Sequence, residues 1–450
     1  MSFESLGLPE ALTRAVADAG YDQPTDVQSR AIPPALAGAD LRVSSSTGSG
    51  KTASFVLPAL QRVLAARLDP ARRRQKGTVY GPRVLVLAPT RELVLQVAKA
   101  AVGYGRHIPG LRVATVVGGV PYGAQLKALR GPLDLLIATP GRLMDHMANG
   151  KAVLEHVEVL VLDEADRMLD MGFIDDIHHI ASFLPRERQT LMFSATFAGP
   201  VGQLANAMLR PEAQTIAVAT HTDTHENIEQ RLHWADDGKH KHALLEHLLA
   251  GRELEQALVF TSTQRDADWL ADRLAEIGHQ VASLHGGMPQ GRRNRVLQGL
   301  RTRQLRVLVA TDVAARGIDV PTISHVINYG LPMKAEDYVH RIGRTGRAGR
   351  QGLAVTLAEA RDAGMIRRIQ QFTTQPIAVA TVDGLEPVKP APRTTGSHRS
   401  EPRGERRAPA RKSFGKPFAK PFGKAPGKPA APRREGAARP APSARRSGDR

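Results

Sequence analysis

Between residues 41 and 219 the chain alternates short apolar runs with longer segments of helical periodicity. The short runs contain Val, Leu and Ile at consecutive positions, as strands do when both faces of a parallel sheet are covered. Such strands alternating with helices predict an open α/β sheet. The predicted strands cover residues 41–43, 83–88, 133–138, 157–162, 189–193 and 215–219.

The same alternation returns after a polar linker at residues 220–226 and ends in an amphipathic segment near 359–372. The recurrence predicts two tandem parallel-sheet domains. The predicted strands of the second sheet cover residues 256–261, 280–284, 305–310, 323–329 and 352–357.

The length of 450 residues fits two domains with an appendage. From residue 387 Pro, Ala, Gly, Lys and Arg dominate, and residues 387–450 hold 18 Lys and Arg against 4 Asp and Glu, most of the net charge of +18. Such a segment buries too little apolar surface to offset its chain entropy, so we expect a disordered tail. Its charge predicts a polyanionic partner, and its phenylalanines are suited to stack on unpaired bases, at Phe414, Phe418 and Phe422. A merely solubilising tail is the alternative.

The chain contains no cysteine, which excludes disulfides, thiolate metal sites and cysteine nucleophiles. Its first residues form neither a basic region nor an apolar core, and no apolar run has membrane-spanning length. We therefore expect a soluble cytoplasmic protein that does not enter a membrane.

A glycine-rich segment, SSSTGSGKT at residues 44–52, joins the first predicted strand to a helical pattern. Backbone N–H groups in such a turn converge on an anion, and the helix N-terminus adds partial positive charge. Lys51 is suited to reach the outer phosphates of a nucleotide, and the Thr52 hydroxyl to ligate Mg²⁺. The strict pattern begins with glycine where this chain has Ser45. The predicted phosphate-binding loop comprises Ser46, Thr47, Gly48, Ser49, Gly50, Lys51 and Thr52.

Polar clusters follow five predicted strands of the first half, where parallel sheets bind ligands. Besides the glycine-rich segment they are PTREL at 89–93, TPGR at 139–142, DEAD at 163–166 and SAT at 194–196. Opposite a phosphate loop, Asp163 is placed to hold Mg²⁺ through water, and Glu164 to polarise an attacking water. Acids that merely complement a helix N-terminus are the alternative.

These motifs together resemble the DEAD-box family of ATP-dependent RNA helicases, over about residues 1–378. The opening MSFESLGL is similar to the bacterial RhlE-type branch. The resemblance implies two RecA-like domains that bind ATP and RNA across the cleft between them. The expected divisions are an adenine-sensing Q-motif segment at 1–29, an ATP-binding domain at 30–219, a linker at 220–226, a C-terminal helicase domain at 227–380 and the tail at 387–450.

The resemblance also assigns nucleotide contacts. Phe3 and Gln28 become the aromatic and the glutamine of the adenine-sensing segment, although a glutamine on a helix is by itself more often solvated. Asp319 is expected on the ribose, and Arg344 and Arg347 on the γ-phosphate as arginine fingers. Residues expected to couple nucleotide state to RNA grip are Ser194, Thr196 and His340; a plain turn is the alternative at 194–196.

The expected RNA contacts address the backbone, so they predict no sequence specificity, and the 2′-hydroxyl would favour RNA over DNA. In the first half they are Pro89, Thr90, Arg91, Gly118, Gly119, Thr139, Pro140, Gly141 and Arg142. In the second half they are Gly286, Gln290, Arg293 and Thr311.

The expected activity is RNA-stimulated ATP hydrolysis with Mg²⁺, coupled to separation of short RNA duplexes or to remodelling of RNA–protein assemblies. Ribosomal precursors and RNA-decay assemblies are the expected settings. An RNA chaperone or clamp, in which ATP times residence and the tail anneals strands, is the rival, and separation of DNA strands is a minor alternative.

Overall fold

The computed structural model describes residues 2–45, 49–72, 81–218, 227–315, 318, 320–347 and 350–392. Within them the chain forms two parallel sheets of seven strands each. The predicted class, α/β with two tandem RecA-like parallel-sheet domains, is confirmed. The predicted linker at 220–226 and the tail from residue 393 onward lie outside the described residues.

The first sheet has the order β3-β4-β2-β5-β6-β1-β7. All six neighbouring pairs are parallel. Sequence patterning missed β3, an edge strand whose residues are alternately half-buried and buried, so that it lacks a continuous apolar run. The strands are β1 (Leu41–Ser44), β2 (Val84–Leu87), β3 (Val113–Val116), β4 (Leu135–Ala138), β5 (Val159–Leu162), β6 (Gln189–Ser194) and β7 (Gln214–Ala217).

The second sheet has the order β10-β11-β9-β12-β13-β8-β14, which repeats the order of the first sheet strand for strand. The sequence pattern did not predict β8 and β14, the first and last strands of this sheet in chain order. Strand β8 mixes polar with apolar residues, and β14 has only two residues. The strands are β8 (Ile228–Ala235), β9 (Ala257–Thr261), β10 (Val281–Leu284), β11 (Val307–Thr311), β12 (His325–Asn328), β13 (Gly352–Glu359) and β14 (Ala378–Val379).

Helices connect the strands in both halves. The helices of the first half are α1 (Glu10–Asp18), α2 (Asp26–Leu36), α3 (Lys51–Leu68), α4 (Arg91–Tyr104), α5 (Tyr122–Leu129), α6 (Pro140–Ala148), α7 (Ala165–Asp170), α8 (Ile174–Ser182) and α9 (Pro200–Met208). Those of the second half are α10 (Gly238–Leu249), α11 (Gln264–Glu276), α12 (Gln290–Arg301), α13 (Asp312–Ala315), α14 (Ala335–Ile342) and α15 (Ala363–Thr373). No helix in the described part of the chain is long and apolar enough to cross a membrane.

Local signals start several helices directly after a strand. The Thr90 hydroxyl caps α4 by accepting from the Leu93 N–H, and Pro140 occupies the first turn of α6. Three turns of 3-10 helix, at Glu4–Leu6, Pro70–Arg72 and Ala360–Asp362, complete the described helical structure. The polar motifs are therefore held within a residue or two of rigid strand ends.

Apolar cores cover both faces of the first sheet. Along β2, Val84 and Val86 join one buried cluster, and Leu85 and Leu87 join the other. This explains why the strand is apolar at every position. In the first cluster Phe193 of β6 packs against Phe55 of α3, with ring centroids 5.2 Å apart.

We expect Phe193→Ala to lower the free energy of unfolding by about 3–5 kcal/mol, because it leaves a cavity in a closed core. Urea unfolding of the full chain followed by far-ultraviolet circular dichroism would measure this loss. The matched control is Phe183→Ala, since the Phe183 side chain is 54% exposed whereas Phe193 is fully buried. Equal stability of the two variants would contradict the packing described here.

Candidate nucleotide and RNA site

The carboxyl ends of β1, β6 and β5 lie side by side in the first sheet. The residues that follow them are the glycine-rich segment, the 194–196 cluster and the 163–166 cluster, so three polar motifs distant in sequence share one edge. Ser45 shows the closeness, because its N–H donates to the Ser194 carbonyl over 3.1 Å.

Lys51, the first residue of α3, lies between two acidic side chains. Its Nζ is 3.7 Å from Asp163 Oδ1 and 3.5 Å from Glu164 Oε1, and all three residues are buried. Burial disfavours the charged ammonium, but the charges of Glu164 and Asp163 outweigh burial and raise the pKa of Lys51. The ammonium is therefore held charged at the base of the site.

The two carboxyl groups respond differently to the same surroundings. Burial raises the pKa of Asp163 to about 6 despite the attraction of Lys51. Burial acts in the same direction on Glu164, but Lys51 and then Arg344 outweigh it and lower the pKa of Glu164. Glu164 is therefore held ionised, whereas the charge of Lys51 does not offset the burial of Asp163.

Asp163 has the environment of a carboxylate that needs a cation. It is fully buried, and neither of its side-chain oxygens has a hydrogen-bond partner among the described residues. A buried carboxylate without partners is costly unless positive charge is supplied, and Mg²⁺ prefers oxygen ligands and bound water. Together with Thr52 in the first turn of α3, the residues present fit a magnesium ion.

The end of the phosphate loop requires glycine. Gly50 has φ +89°, and a Cβ there would lie 2.5 Å from Gln28 Nε2 and 3.0 Å from Thr25 Oγ1. The turn therefore closes tightly before α3 begins. Three of the predicted loop residues, Ser46, Thr47 and Gly48, lie outside the described residues.

The position of Gln28 on a helix would by itself suggest a solvated side chain, but the structure shows a buried one. Its Oε1 accepts from the Thr25 N–H over 3.0 Å, and its Nε2 donates to the Gly50 carbonyl over 3.0 Å. It thus joins the start of α2 to the phosphate loop. Phe3 is buried within the core of the first sheet. Adenine sensing by either residue stays a prediction.

The second half contributes arginines to the same site. Arg344, just after α14, is buried, and its Nη1 donates to the Ile318 carbonyl over 3.1 Å. The Arg347 Nη1 reaches the same carbonyl over 3.5 Å, and its Nε donates to the Gly343 carbonyl over 2.8 Å. Arg344 lines one cavity with Arg167 of the first half, and its charge lowers the pKa of Glu164. Asp319 lies outside the described residues.

Asp166 lies between Ser194 and His340, two of the three residues predicted to couple nucleotide and RNA, and the third, Thr196, is bonded to Ser194. The Ser194 Oγ lies 2.8 Å from Asp166 Oδ1 and 2.7 Å from the Thr196 carbonyl oxygen. On the other side, His340 Nε2 lies 3.8 Å from Asp166 Oδ2. Sequence reasoning did not single out Asp166, although its place in the DEAD tetrapeptide was a signal.

The predicted RNA-contact segments of the first half adjoin one another. Arg91 Nη1 donates to the Gly118 carbonyl over 3.2 Å, and Arg142 Nη2 to the Val120 carbonyl over 3.4 Å. Gly119 has φ +71°. Gly118 and Gly119 therefore lie between the loop after β2 and the start of α6. The other predicted RNA contacts in these two segments are Pro89, Thr90, Thr139, Pro140 and Gly141.

The second half approaches this surface through α12. A Cβ on Gly119 would lie 3.3 Å from the Cβ of Gln290. Arg293 is buried, with its Nη2 3.0 Å from Glu92 Oε1 and its Nη1 donating to the His285 carbonyl over 3.2 Å. In this conformation the Arg293 guanidinium is thus engaged by protein groups, while its contact with RNA stays a prediction. Gly286 and Thr311 follow or end the neighbouring strands β10 and β11.

Two residues that sequence reasoning missed support this surface. Gln125 of α5 is buried, accepts from the Val117 N–H over 3.1 Å, and donates to the carbonyls of Val117 and Val120. It therefore holds the turn that contains the glycine pair. Tyr122 stacks on His146 with ring centroids 4.3 Å apart, and the Arg142 guanidinium carbon lies 5.0 Å from the Tyr122 ring centroid. A glutamine on the inward face of α5 was the available signal.

Comparison with known proteins agrees with this geometry. Residues 25–204 match the family described as DEAD/DEAH box helicase, and residues 239–349 match the helicase conserved C-terminal domain. The ATP-dependent RNA helicase SrmB of Escherichia coli (strain K12) is 42% identical over 391 residues, which are 87% of this chain and 86% of that protein. This chain belongs to the DEAD-box family of ATP-dependent RNA helicases.

Other relatives agree with that membership. The ATP-dependent RNA helicase RhlB of Xanthomonas campestris pv. campestris (strain B100) is 40% identical over 88% of this helicase and 68% of that protein. The structure of S. cerevisiae Dbp5 bound to RNA and ADP BeF3 has a TM-score of 0.75 at 31% identity, covering 85% of this helicase and 95% of that chain. Mss116p bound to ssRNA and AMP-PNP gives a TM-score of 0.74 at 27% identity, over 85% and 80% of the two chains.

The stack beside the RNA-contact segments predicts a pH dependence of the helicase's stability. His146 is buried, and burial, reinforced by Arg142, lowers its pKa. The unfolded chain therefore binds a proton there that the folded chain does not, so stability present above about pH 6.5 is lost on acidification. We expect His146→Phe to gain about 1 kcal/mol relative to wild type between pH 7 and pH 5.

Urea unfolding at both pH values would measure that gain. The control is His178→Phe, which removes an exposed histidine of the same half. A difference for His146→Phe that does not grow on acidification would contradict a neutral buried imidazole.

Proposed function

We propose that this helicase couples RNA-stimulated ATP hydrolysis to local separation of short RNA duplexes, or to remodelling of RNA–protein assemblies, without sequence specificity. One observation carries the proposal. Lys51 Nζ of the first half lies 3.5 Å from Glu164 Oε1, and the buried Arg344 of the second half lines one cavity with Arg167, three residues after Glu164, so the charged groups assigned to hydrolysis come from both halves.

Each charged group has a distinct role in the proposal. The loop 46–52 and Lys51 hold the phosphates, and Glu164 orients the attacking water. Arg344 and Arg347 stabilise charge that develops on the γ-phosphate, a device that contributes about 10³–10⁵ in rate. Thr52, and Asp163 through water, would hold Mg²⁺, which neutralises phosphate charge when bound. The orphaned carboxylate of Asp163 supports this assignment.

Recognition of the adenosine is assigned to Phe3, Gln28 and Asp319. The buried Gln28 supports a link between this segment and the phosphate loop, since its amide already joins Thr25 to Gly50. The proposed divisions of the chain are the adenine-sensing segment at 1–29, the ATP-binding domain at 30–219 and the linker at 220–226. The C-terminal helicase domain at 227–380 and the tail at 387–450 follow.

RNA lies on the surface formed by residues 89–91, 118–119 and 139–142 of the first half, together with Gly286, Gln290, Arg293 and Thr311 of the second. The closeness of Gly119 to Gln290 supports one surface that spans both halves. Closure would impose a bend on one strand that a duplex cannot follow, and hydrolysis would then release RNA. The path from RNA to ATP runs through Ser194, Asp166 and His340.

Finer assignments rest on the sequence. The opening MSFESLGL supports the RhlE-type branch. A cytoplasmic location is part of the proposal. Ribosomal precursors and RNA-decay assemblies are the proposed settings, with the basic tail as an additional RNA contact.

Glu164→Gln tests the assignment of the water-orienting group. The variant should bind ATP with nearly unchanged affinity and hydrolyse it at least about 10²-fold more slowly, because the amide cannot accept a proton from water. Steady-state hydrolysis with saturating RNA, and binding of a fluorescent ATP analogue, would measure the two effects. The exposed Glu155→Gln is the matched control and should behave as wild type. Turnover in Glu164→Gln equal to that of the control would refute the role.

The activity itself is tested by ATP hydrolysis of the full chain alone, with single-stranded RNA and with DNA of equal length. We expect strong stimulation by RNA only. Equal stimulation by DNA would overturn the RNA assignment, and no hydrolysis under any condition would favour the clamp or chaperone.

Strand separation and annealing by the full chain and by a chain ending at Pro392 distinguish the helicase from the chaperone. The cut falls after Pro392 because the N–H groups of Val388 and Lys389 donate to the Asp236 carboxylate, so an earlier end would disturb the folded body. We expect ATP-dependent separation by both chains. Annealing that needs no ATP and disappears with the tail, without separation by either chain, would support the chaperone instead.

A further inference from the structure

Helices α7 and α14 meet across the two halves through charged side chains. Arg167 Nη1 contacts the Asp337 carboxylate and lies 3.3 Å from Asp170 Oδ2. Lys334 Nζ contacts the other oxygen of the Asp170 carboxylate. We call these four residues, Arg167, Asp170, Lys334 and Asp337, the α7–α14 ion-pair cluster. Its members lie outside the residues assigned above to ATP or RNA.

The central pair is buried in this conformation. Arg167 is 3% exposed and Asp337 is 8% exposed. Burial opposes the charged guanidinium, but Asp337 and Asp166 outweigh burial and raise the pKa of Arg167. Removing one partner of such a pair is costly, because the buried charge that remains loses an opposite charge beside it.

The cluster joins the two elements that carry the proposed hydrolytic groups. Arg167 comes three residues after Glu164, in the short helix that begins there. Asp337 lies on α14, three residues before His340, and Arg344 follows at the end of that helix. The ion pair between Arg167 and Asp337 therefore connects the acidic motif to the helix that precedes Arg344.

We propose that the Arg167–Asp337 pair is a closure latch, in which two positioning residues set how readily the halves come together around ATP and RNA. The inference rests on the proposed function, since it assumes that closure precedes hydrolysis. The pair contacts neither nucleotide nor RNA in this assignment. It acts on the equilibrium between open and closed forms, because parting the halves would return both charges to water and closing would bury them together.

This role predicts a characteristic pattern of effects. Asp337→Asn removes a carboxylate that compensates the buried Arg167 charge only in the closed form, so closure should need about tenfold more RNA. Arg167→Gln should have an effect of similar size. The double variant should be impaired about tenfold and not about a hundredfold, because the second change removes the charge whose compensation the first change weakened.

The absence of cysteine makes closure directly measurable. Lys151→Cys and Arg252→Cys place one thiol on an exposed residue of each half, for a donor and an acceptor dye. Energy transfer in the full chain is then followed as polyuridylate is added with Mg²⁺ and the non-hydrolysable analogue AMP-PNP. The four chains of the cycle are the labelled parent, the two single variants and the double variant.

The exposed ion pair Arg273–Glu276 supplies the matched control. Arg273→Gln removes an exposed arginine of α11, and this variant should close at the same RNA concentration as the parent. Binding of a fluorescent ATP analogue without RNA and the thermal unfolding midpoint should also be unchanged in all variants of the cycle. A merely structural defect would move one of these two readings.

Steady-state hydrolysis separates the latch from the arginine fingers. Asp337→Asn should raise KM for RNA about tenfold and keep kcat at saturating RNA within about twofold, because excess RNA restores closure. Arg344→Ala should lower the rate of ATP hydrolysis at every RNA concentration, and should therefore lower kcat as well.

Different outcomes would contradict the closure latch and the proposed RNA-stimulated ATP hydrolysis. Closure of Asp337→Asn at the parent's RNA concentration would overturn the latch, as would a double variant impaired by the product of the single effects. A parent chain that neither closes nor hydrolyses ATP with RNA would overturn the proposed function, and the latch with it.

Discussion

The buried charge cluster of Lys51, Asp163 and Glu164 is the constraint on which the rest of the site depends. One ammonium serves two buried carboxylates, and it is not enough, because the pKa of Asp163 is raised to about 6 and its oxygens lack hydrogen-bond partners among the described residues. Such a cluster favours whatever brings further positive charge. The second half brings such a charge in Arg344, which lowers the pKa of Glu164.

The way the halves meet suits a reversible encounter. Each of the five apolar clusters in the described part of the chain is confined to one half. Charged side chains meet across the halves in four places: Arg293 with Glu92, Arg167 with Asp337, Lys334 with Asp170 and His340 with Asp166. Separation would therefore expose charges that water solvates well and would leave both cores intact.

Sequence patterning predicted the central strands well, because a strand covered on both faces is apolar at every position, as β2 and β5 are. It failed at the edges and beside them. The edge strand β3 is only half-covered, β14 has two residues, and β8 has a polar first half that resembles a loop. The repeated strand order of the two sheets could not be seen at all, since order depends on which strands pair across long connections.

By itself the sequence determined the class of fold and the place of each motif, because a polar cluster after a buried parallel strand must lie at the ligand-binding edge. Only the tertiary structure decided which side chains act together. Gln28 bonds the phosphate loop, Asp166 joins Ser194 to His340, and Gln125 holds the glycine turn. The reason is that most of these partners lie on different strands and helices, and a hydrogen bond depends on distances that linear spacing does not encode.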